Sequence, residues 1–210
     1  MFILTKFADL VQISPDDFRK QSHVAIEDNI NAKYANKVVQ KIGLCICLWD
    51  LLWASEGLIG NGDGMVNVNV EFRMVVFRPF KTEVIMARIT DQNPQGIFLA
   101  TDFFDDIFVP WTELPEGTEF EPTENLWVWK DEDQVMYFDN NEMVRFRVMA
   151  EEWHDQTPTK PVINDATTLG AAAGTEGATD QQTAPANYKP PYQIIGSMNG
   201  PGLGCCLWWE

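Results

Sequence analysis

Gly43-Leu44-Cys45-Ile46-Cys47-Leu48-Trp49-Asp50-Leu51-Leu52-Trp53 decides how this chain folds. From Leu44 to Trp53 it is apolar except for Asp50. A nearly continuous apolar run of this length predicts a central strand covered on both faces. It is far shorter than the roughly 20 residues of a membrane-spanning helix. Downstream, Val66, Val68, Val70, Phe72, Met74 and Val76 alternate with mostly polar residues, the pattern of a long half-buried strand. Between the two lies Glu56-Gly57-Leu58-Ile59-Gly60-Asn61-Gly62-Asp63-Gly64, whose glycines mark a tight hairpin tip. Leu58 and Ile59 are apolar residues in a loop. They either form an exposed docking knob, shaped by Gly60, Gly62 and Gly64, or fold back on their own sheet. Upstream, Phe2 to Val11 is β-prone, and Ser14-Pro15-Asp16-Asp17 reads as a helix start. Phe18, Ala25, Ile26 and Ile30 then recur at helical spacing as a buried stripe. The first segment is thus expected to be an antiparallel sheet with a helix.

The whole chain has 210 residues, enough for one or two domains. Apolar residues at 45% and aromatics at 12% exclude wholesale disorder. The formal charge of -16 argues against a basic, phosphate-driven nucleic-acid grip by the chain as a whole. That charge is unevenly placed. Residues 1–80 are nearly neutral, whereas residues 81–155 hold 18 acidic and 5 basic groups. The asymmetry supports a boundary near Pro79, with domains at 1–80 and 81–210. The opening residues lack the pattern of a signal peptide, and a soluble, intracellular protein is expected.

The second segment reads as short strands: Glu83 to Thr90, Ile97 to Thr101, Asp106 to Pro110, Val135 to Phe138 and Met143 to Met149. Asn93-Pro94-Gln95-Gly96, Pro115-Glu116-Gly117 and Asp139-Asn140-Asn141 separate them. Five strands over roughly seventy residues fit an OB-type barrel. From about 155 to 187 the composition turns to Thr, Ala, Gly, Pro and Gln without an aromatic, as expected of a disordered insert. Tyr188 to Ser197 and Leu203 to Trp209 are again strand-like. The expected fold class is α+β: a sheet with a helix, then an all-β barrel with an insert.

Catalytic signatures are scarce. No phosphate-binding loop occurs, and Gly60, Gly62 and Gly64 do not form a dinucleotide fingerprint. Cys45 and Cys47 share a strand face on strict alternation, while Cys205 and Cys206 are adjacent. Neither pair has zinc-knuckle spacing, so buried reduced thiols are expected, with no metal and no cofactor. A hydrolase built on Asp105 and Asp106 would need converging carboxylates, but neighbours on a strand point to opposite faces. Arg145 and Arg147 share one strand face, and Trp127 and Trp129 alternate in the same way. Together these four could offer cations and stacking platforms to single-stranded RNA, or the tryptophans could cover the barrel while the arginines pair with nearby acids.

The Gly43–Leu52 string resembles the central strand of the RNA polymerase stalk subunit family, which includes the seventh subunit of RNA polymerase II and its archaeal counterpart. Met1-Phe2-Ile3-Leu4, Ala8-Asp9-Leu10-Val11 and the crossing Phe72-Arg73-Met74-Val75-Val76-Phe77-Arg78-Pro79-Phe80-Lys81-Thr82-Glu83-Val84 fit the same family. Phe104-Asp105-Asp106-Ile107-Phe108-Val109-Pro110, the Trp127/Trp129 pair, Tyr137-Phe138-Asp139, Val144-Arg145-Phe146-Arg147-Val148 and Leu207-Trp208-Trp209-Glu210 resemble the RNA polymerase III branch. The resemblance covers the chain except roughly 155–187. It implies a tip domain followed by an OB-type domain, in a nuclear, non-catalytic subunit. Such a subunit pairs with a smaller helical subunit as a stalk, docks on the polymerase core through the tip, supports initiation at small non-coding RNA genes such as tRNA and 5S rRNA, and can meet emerging RNA. Carried over by position, Leu58–Gly64 lies in the docking tip and Arg145 and Arg147 lie in the barrel. The other reading of the residues is a free-standing OB-fold protein that binds single-stranded RNA.

Overall fold

The structure, a computed structural model, describes residues 1–60, 62, 64–131, 134–155 and 189–209. Apart from Asp155, the insert expected at about 155–187 lies outside the described residues. The strands are β1 (Phe2–Ile13), β2 (Lys37–Val39), β3 (Gly43–Ala54), β4 (Leu58–Ile59), β5 (Val66–Phe77), β6 (Val84–Asn93), β7 (Gly96–Ala100), β8 (Ile107–Pro110), β9 (Thr118–Glu121), β10 (Leu126–Asp131), β11 (Gln134–Tyr137), β12 (Met143–Trp153), β13 (Tyr192–Ser197) and β14 (Gly204–Cys205). The helix α1 (Ser22–Tyr34) lies between β1 and β2. The fold is α+β, as the sequence implied.

The N-terminal sheet has the order β1-β5-β3-β2 and is antiparallel throughout, with β4 added to β5. Strict alternation in β5 sends Val68, Val70, Phe72, Met74 and Val76 to one face, where they pack with Ala25, Ile26 and Ile30 of α1. Polar ties fix the helix on that face. Asn31 Oδ1 accepts the Leu48 amide at 2.8 Å. The Asp9 carboxylate accepts from the Tyr34 hydroxyl at 2.6 Å and from Lys33.

Three expectations for this region are corrected. First, β3 is an inner strand, between β5 and β2, but it is not covered on both faces, and it meets β2 only over Gly43 to Cys45. Trp49, Leu52 and Trp53 are 61%, 46% and 53% exposed. The cause is three register shifts, at Cys45/Cys47, Leu48/Asp50 and Leu51/Trp53. Each extra residue resets the alternation, so an unbroken apolar run serves two faces although α1 covers only one. Second, Cys45 pairs with Val76 and Cys47 with Val75, on opposite faces, because a bulge separates them. Cys45 is buried and Cys47 exposed. Third, Ser14-Pro15 starts only a 3-10 turn, Pro15–Arg19, that closes when the Lys20 amide donates to the Asp17 carbonyl. Extended backbone at Lys20 and Gln21 re-aims the chain before α1, which leaves Phe18 51% exposed rather than in the buried stripe.

The barrel runs β12-β6-β7-β8-β13 and closes where β13 returns to β12. Only β13–β8 pairs parallel; the other contacts around the barrel are antiparallel. This closed five-strand arrangement is of the OB type. β12 serves both neighbours by means of a bulge between Val148 and Ala150: Met143–Arg147 pair with β6 and Arg147–Trp153 with β13. The expected strand at Val135 to Phe138 is not a stave of the barrel. It is β11, in a separate sheet β11-β10-β9, and Phe138 beyond it is fully buried in the barrel core. The last stave, β13, comes from beyond the insert. Of Leu203 to Trp209, only Gly204–Cys205 form a strand; Cys206–Trp209 turn as a 3-10 helix. That turn lays Trp208 on Phe138 and Trp129, with ring centroids at 4.7 and 5.2 Å.

The two regions share side chains. Leu44 and Phe77 belong to the barrel core, where Phe77 meets Phe103 and Phe104 at 5.0 and 5.3 Å. The Arg78 guanidinium binds Glu151 at 3.0 Å, donates to the Lys41 carbonyl at 2.8 Å and lies over the Trp153 ring. The Tyr192 hydroxyl donates to the same Glu151 carboxylate at 3.1 Å.

Candidate functional site

The hairpin tip presents its two apolar residues. Backbone pairing holds Leu58 opposite Asn67 and Ile59 opposite Val66, yet both side chains are 71% exposed. The Gly60 amide donates to the Met65 carbonyl at 2.8 Å and closes the loop. Gly62 and Gly64 take φ of 101° and 68°, which side-chain-bearing residues rarely adopt. Leu58 and Ile59 are therefore exposed on a short paired strand, with Gly60, Gly62 and Gly64 in the turn that follows it.

A second surface is the sheet face opposite α1. It carries Phe2, Leu4 and Leu10 from β1, Val75 from β5, and Cys47 and Trp53 from β3. Two ion pairs cross its middle, Lys6–Glu71 at 2.6 Å and a two-pronged Arg73–Asp50 pair at 2.8 and 2.5 Å. The hydrogen bonds from Arg73 hold the Asp50 carboxyl below its usual range. Phe2, Leu4, Leu10, Trp49 and Trp53 are each more than two-fifths exposed. Single exposed apolar residues are ordinary, but a set of this size on one sheet is the mark of an interaction surface. The tryptophans were hidden in the sequence because the apolar run of β3 gives no sign of its bulges.

The residues considered for RNA contact do not meet on one surface. Arg145 and Arg147 stand on the outside of β12, while Val144, Phe146 and Val148 fill the barrel. Trp127 is only 5% exposed, and its indole N–H donates to the Asn93 carbonyl at 2.9 Å. The Trp129 indole N–H donates to the Glu116 carbonyl, and its ring packs on Trp208. Buried Gln92 locks this region: its side chain accepts the Trp127 amide at 2.9 Å and donates to the Phe138 carbonyl at 2.6 Å. The tryptophans thus act as cover for the barrel. Arg88 and Met86, which were not singled out from the sequence, stand beside the arginines. Only the long-range register of β6 against β12 reveals them.

Asp105 is exposed and Asp106 half-buried. Burial, and secondly the charge of Asp105, push the Asp106 carboxyl up. Among the described residues no cluster of three or more His, Cys, Asp or Glu side chains is placed to hold a metal ion. Cys205 is buried, and burial pushes its thiol far above the usual range. Cys206 is half-buried.

Comparison with known proteins gives a consistent picture. Residues 83–209 match the family described as RNA polymerase III subunit Rpc25. Residues 8–64 match the SHS2 domain found in the N terminus of Rpb7p and Rpc25p. The chain is 40% identical to DNA-directed RNA polymerase III subunit RPC8 of Saccharomyces cerevisiae, over the full length of both. It is 36% identical to the subunit of the same name from Bos taurus, over 100% of this chain and 98% of the relative. A more distant match is RNA polymerase subunit Rpo7 of Saccharolobus solfataricus, 27% identical over 47% of this chain and 55% of the relative.

Proposed function

Because the chain belongs to the Rpc25 family of RNA polymerase III subunits, we propose that it is a non-catalytic subunit of the nuclear enzyme that forms a stalk with a smaller helical partner. The observation that carries this reading is the full-length match to RNA polymerase III subunits, which spans both the sheet and the barrel. The exposed apolar surfaces support it. In this reading the Leu58–Gly64 tip docks on the polymerase core, and the helical partner covers the sheet face that carries Trp53 and Leu4. The subunit then supports initiation at small non-coding RNA genes without contributing a catalytic group. Of the four residues considered for contact with emerging RNA, Trp127 is buried and Trp129 packs on Trp208, which leaves Arg145 and Arg147 on the outer face of the barrel.

Tagged purification from native extract at moderate salt tests the proposal. The expected eluate contains a small helical partner and the large RNA polymerase III subunits. Deleting Leu58–Gly64 should strip the large subunits while the helical partner stays. Full retention of the large subunits by the deletion would remove the docking role. Elution of the intact chain alone would remove the stalk.

A further inference from the structure

The outer face of β6 and β12 carries three cations that the described chain leaves unpaired. In the register, Arg88 lies opposite Met143, Arg145 opposite Met86, and Arg147 opposite Val84. Their neighbours Ile85, Ala87, Ile89, Val144, Phe146 and Val148 fill the barrel, so these six side chains all stand outside. Each arginine therefore stands opposite an apolar group on the neighbouring strand. Arg73 and Arg78 are each committed to a carboxylate. Arg88, Arg145 and Arg147 make no ion pair or side-chain hydrogen bond among the described residues, in a chain of net charge -16. Val84 and Met86 are 50% and 52% exposed. Beside them is a groove of about 250 Å³ whose lining includes Met1, Met86, Arg88, Phe103 and Met143, with Asp102 among its few polar groups.

We propose that this face binds an acidic segment of another protein in the polymerase complex, with a bulky apolar side chain in the methionine-lined groove and carboxylates on the three arginines. Charge complementarity selects an anionic partner. The apolar half of the face selects a polypeptide over RNA. Three methionines give an adaptable, polarizable lining suited to an aliphatic or aromatic side chain. The aromatic ring at the groove, Phe103, packs on Phe2 and Phe77, at 5.7 and 5.0 Å, and its 40% exposed remainder adds to the apolar lining. Arg145 and Arg147 are two residues apart on a strand, about 7 Å along it. Carboxylates at i and i+2 of an extended segment have the same spacing, and each then meets a guanidinium fork that favours carboxylate geometry. The inference uses membership of the polymerase complex and is independent of the stalk reading.

The test is photo-crosslinking in the assembled polymerase, with p-benzoylphenylalanine placed at Met86 of the full chain. The expected product joins Met86 to a protein segment that mass spectrometry shows to be net negative around the attachment point. Adding Arg88→Glu, Arg145→Glu and Arg147→Glu should lower its yield at least tenfold. The same crosslinker at Leu58 reports core docking separately, so the two readings fail independently. If the triple Glu variant does not enter the complex, the triple Gln variant should still lower the yield severalfold. A crosslink to RNA, a crosslink to a basic segment, a yield unchanged by these substitutions, or no product above that from a crosslinker at Lys20 would each overturn the proposal.

Discussion

The N-terminal sheet and the barrel are both built from long, apolar, antiparallel strands, but they close different numbers of faces. In the barrel, curvature turns one face inward, and Ile89, Ile97, Leu99, Ile107, Val109, Phe146 and Ile194 are all at most 1% exposed. The core needs no further layer. The sheet is open, and α1 covers only one side, so Phe2, Leu4, Leu10 and Trp53 remain in water. A helix of 13 residues is about 20 Å long and cannot wrap both faces. The barrel thus closes its own interior, while the sheet leaves apolar area uncovered. The two are nevertheless not free of each other, because Phe77 ends an inner strand of the sheet inside the barrel core.

The largest effect is expected of Phe77→Ala. Phe77 is fully buried between Phe2, Phe103 and Phe104. Its truncation should cost about 3–5 kcal/mol. Because the cavity lies in the shared core, urea unfolding should remain one transition that moves to lower denaturant as a whole. Two separate transitions, with the barrel's unmoved, would show the regions to be independent. A smaller loss separates the regions further. A methyl group on Gly96 would lie 2.1 Å from the Val109 carbonyl inside the barrel, and one on Gly43 would lie 2.5 Å from the Phe77 carbonyl at the joint. Gly96→Ala and Gly43→Ala should each cost about 1–3 kcal/mol through backbone strain. Hydrogen exchange should place the first loss among β7 and β8 amides and the second among those of β2 and β3.

How legible each region was in the sequence follows from the same contrast. Clean alternation in Val66–Val76 and in Met143–Met149 gave both strands and their inward faces, because a period of two survives wherever pairing is regular. It failed in β3, where three bulges erase the period, and in the Pro15–Arg19 turn, where two extended residues separate Phe18 from the helix that its spacing suggested. The surfaces were harder to read than the folds. Leu58 and Ile59 stood out because glycines flank them. The company kept by Arg145 and Arg147 depends on partners some sixty residues away in the chain, and neither composition nor local spacing carries such a register.

A pH titration probes the covered face of the sheet with a smaller effect. Burial alone would raise the Asp9 carboxyl, but hydrogen bonds from Lys33, Tyr34 and the Leu10 amide outweigh it and leave the pKa lowered. Burial and the same contact push the Tyr34 hydroxyl up to about 12. A lowered folded pKa means that Asp9 contributes its full stability above the ordinary carboxyl value of about 3.9, and loses that contribution as pH falls through the folded value. Asp9→Asn should therefore cost about 1 kcal/mol at neutral pH, the size of a hydrogen bond to a charged group on a partly exposed surface. The gap from the unsubstituted protein should narrow steadily below about pH 4 in thermal melts. A gap that is constant across that range would mean that the Lys33 and Tyr34 contacts do not depend on the carboxylate charge.

The open face yields the smallest change in stability and the most informative one. Trp53 is 53% exposed, so Trp53→Leu keeps apolar contact with the sheet in the free chain and removes the part of the ring that stands in water. Its unfolding free energy should stay within about 0.5 kcal/mol of the unsubstituted protein. If the sheet completes itself on a partner, the same variant should lose affinity for the coexpressed helical subunit at least tenfold, since buried aromatic anchors dominate interface energies. The two measurements bear on each other. Loss of affinity with unchanged stability makes the face an interface held in reserve. Loss of stability with unchanged affinity would mean that the bulged strand already buries this ring against its own sheet, and the contrast between an open sheet and a closed barrel would disappear.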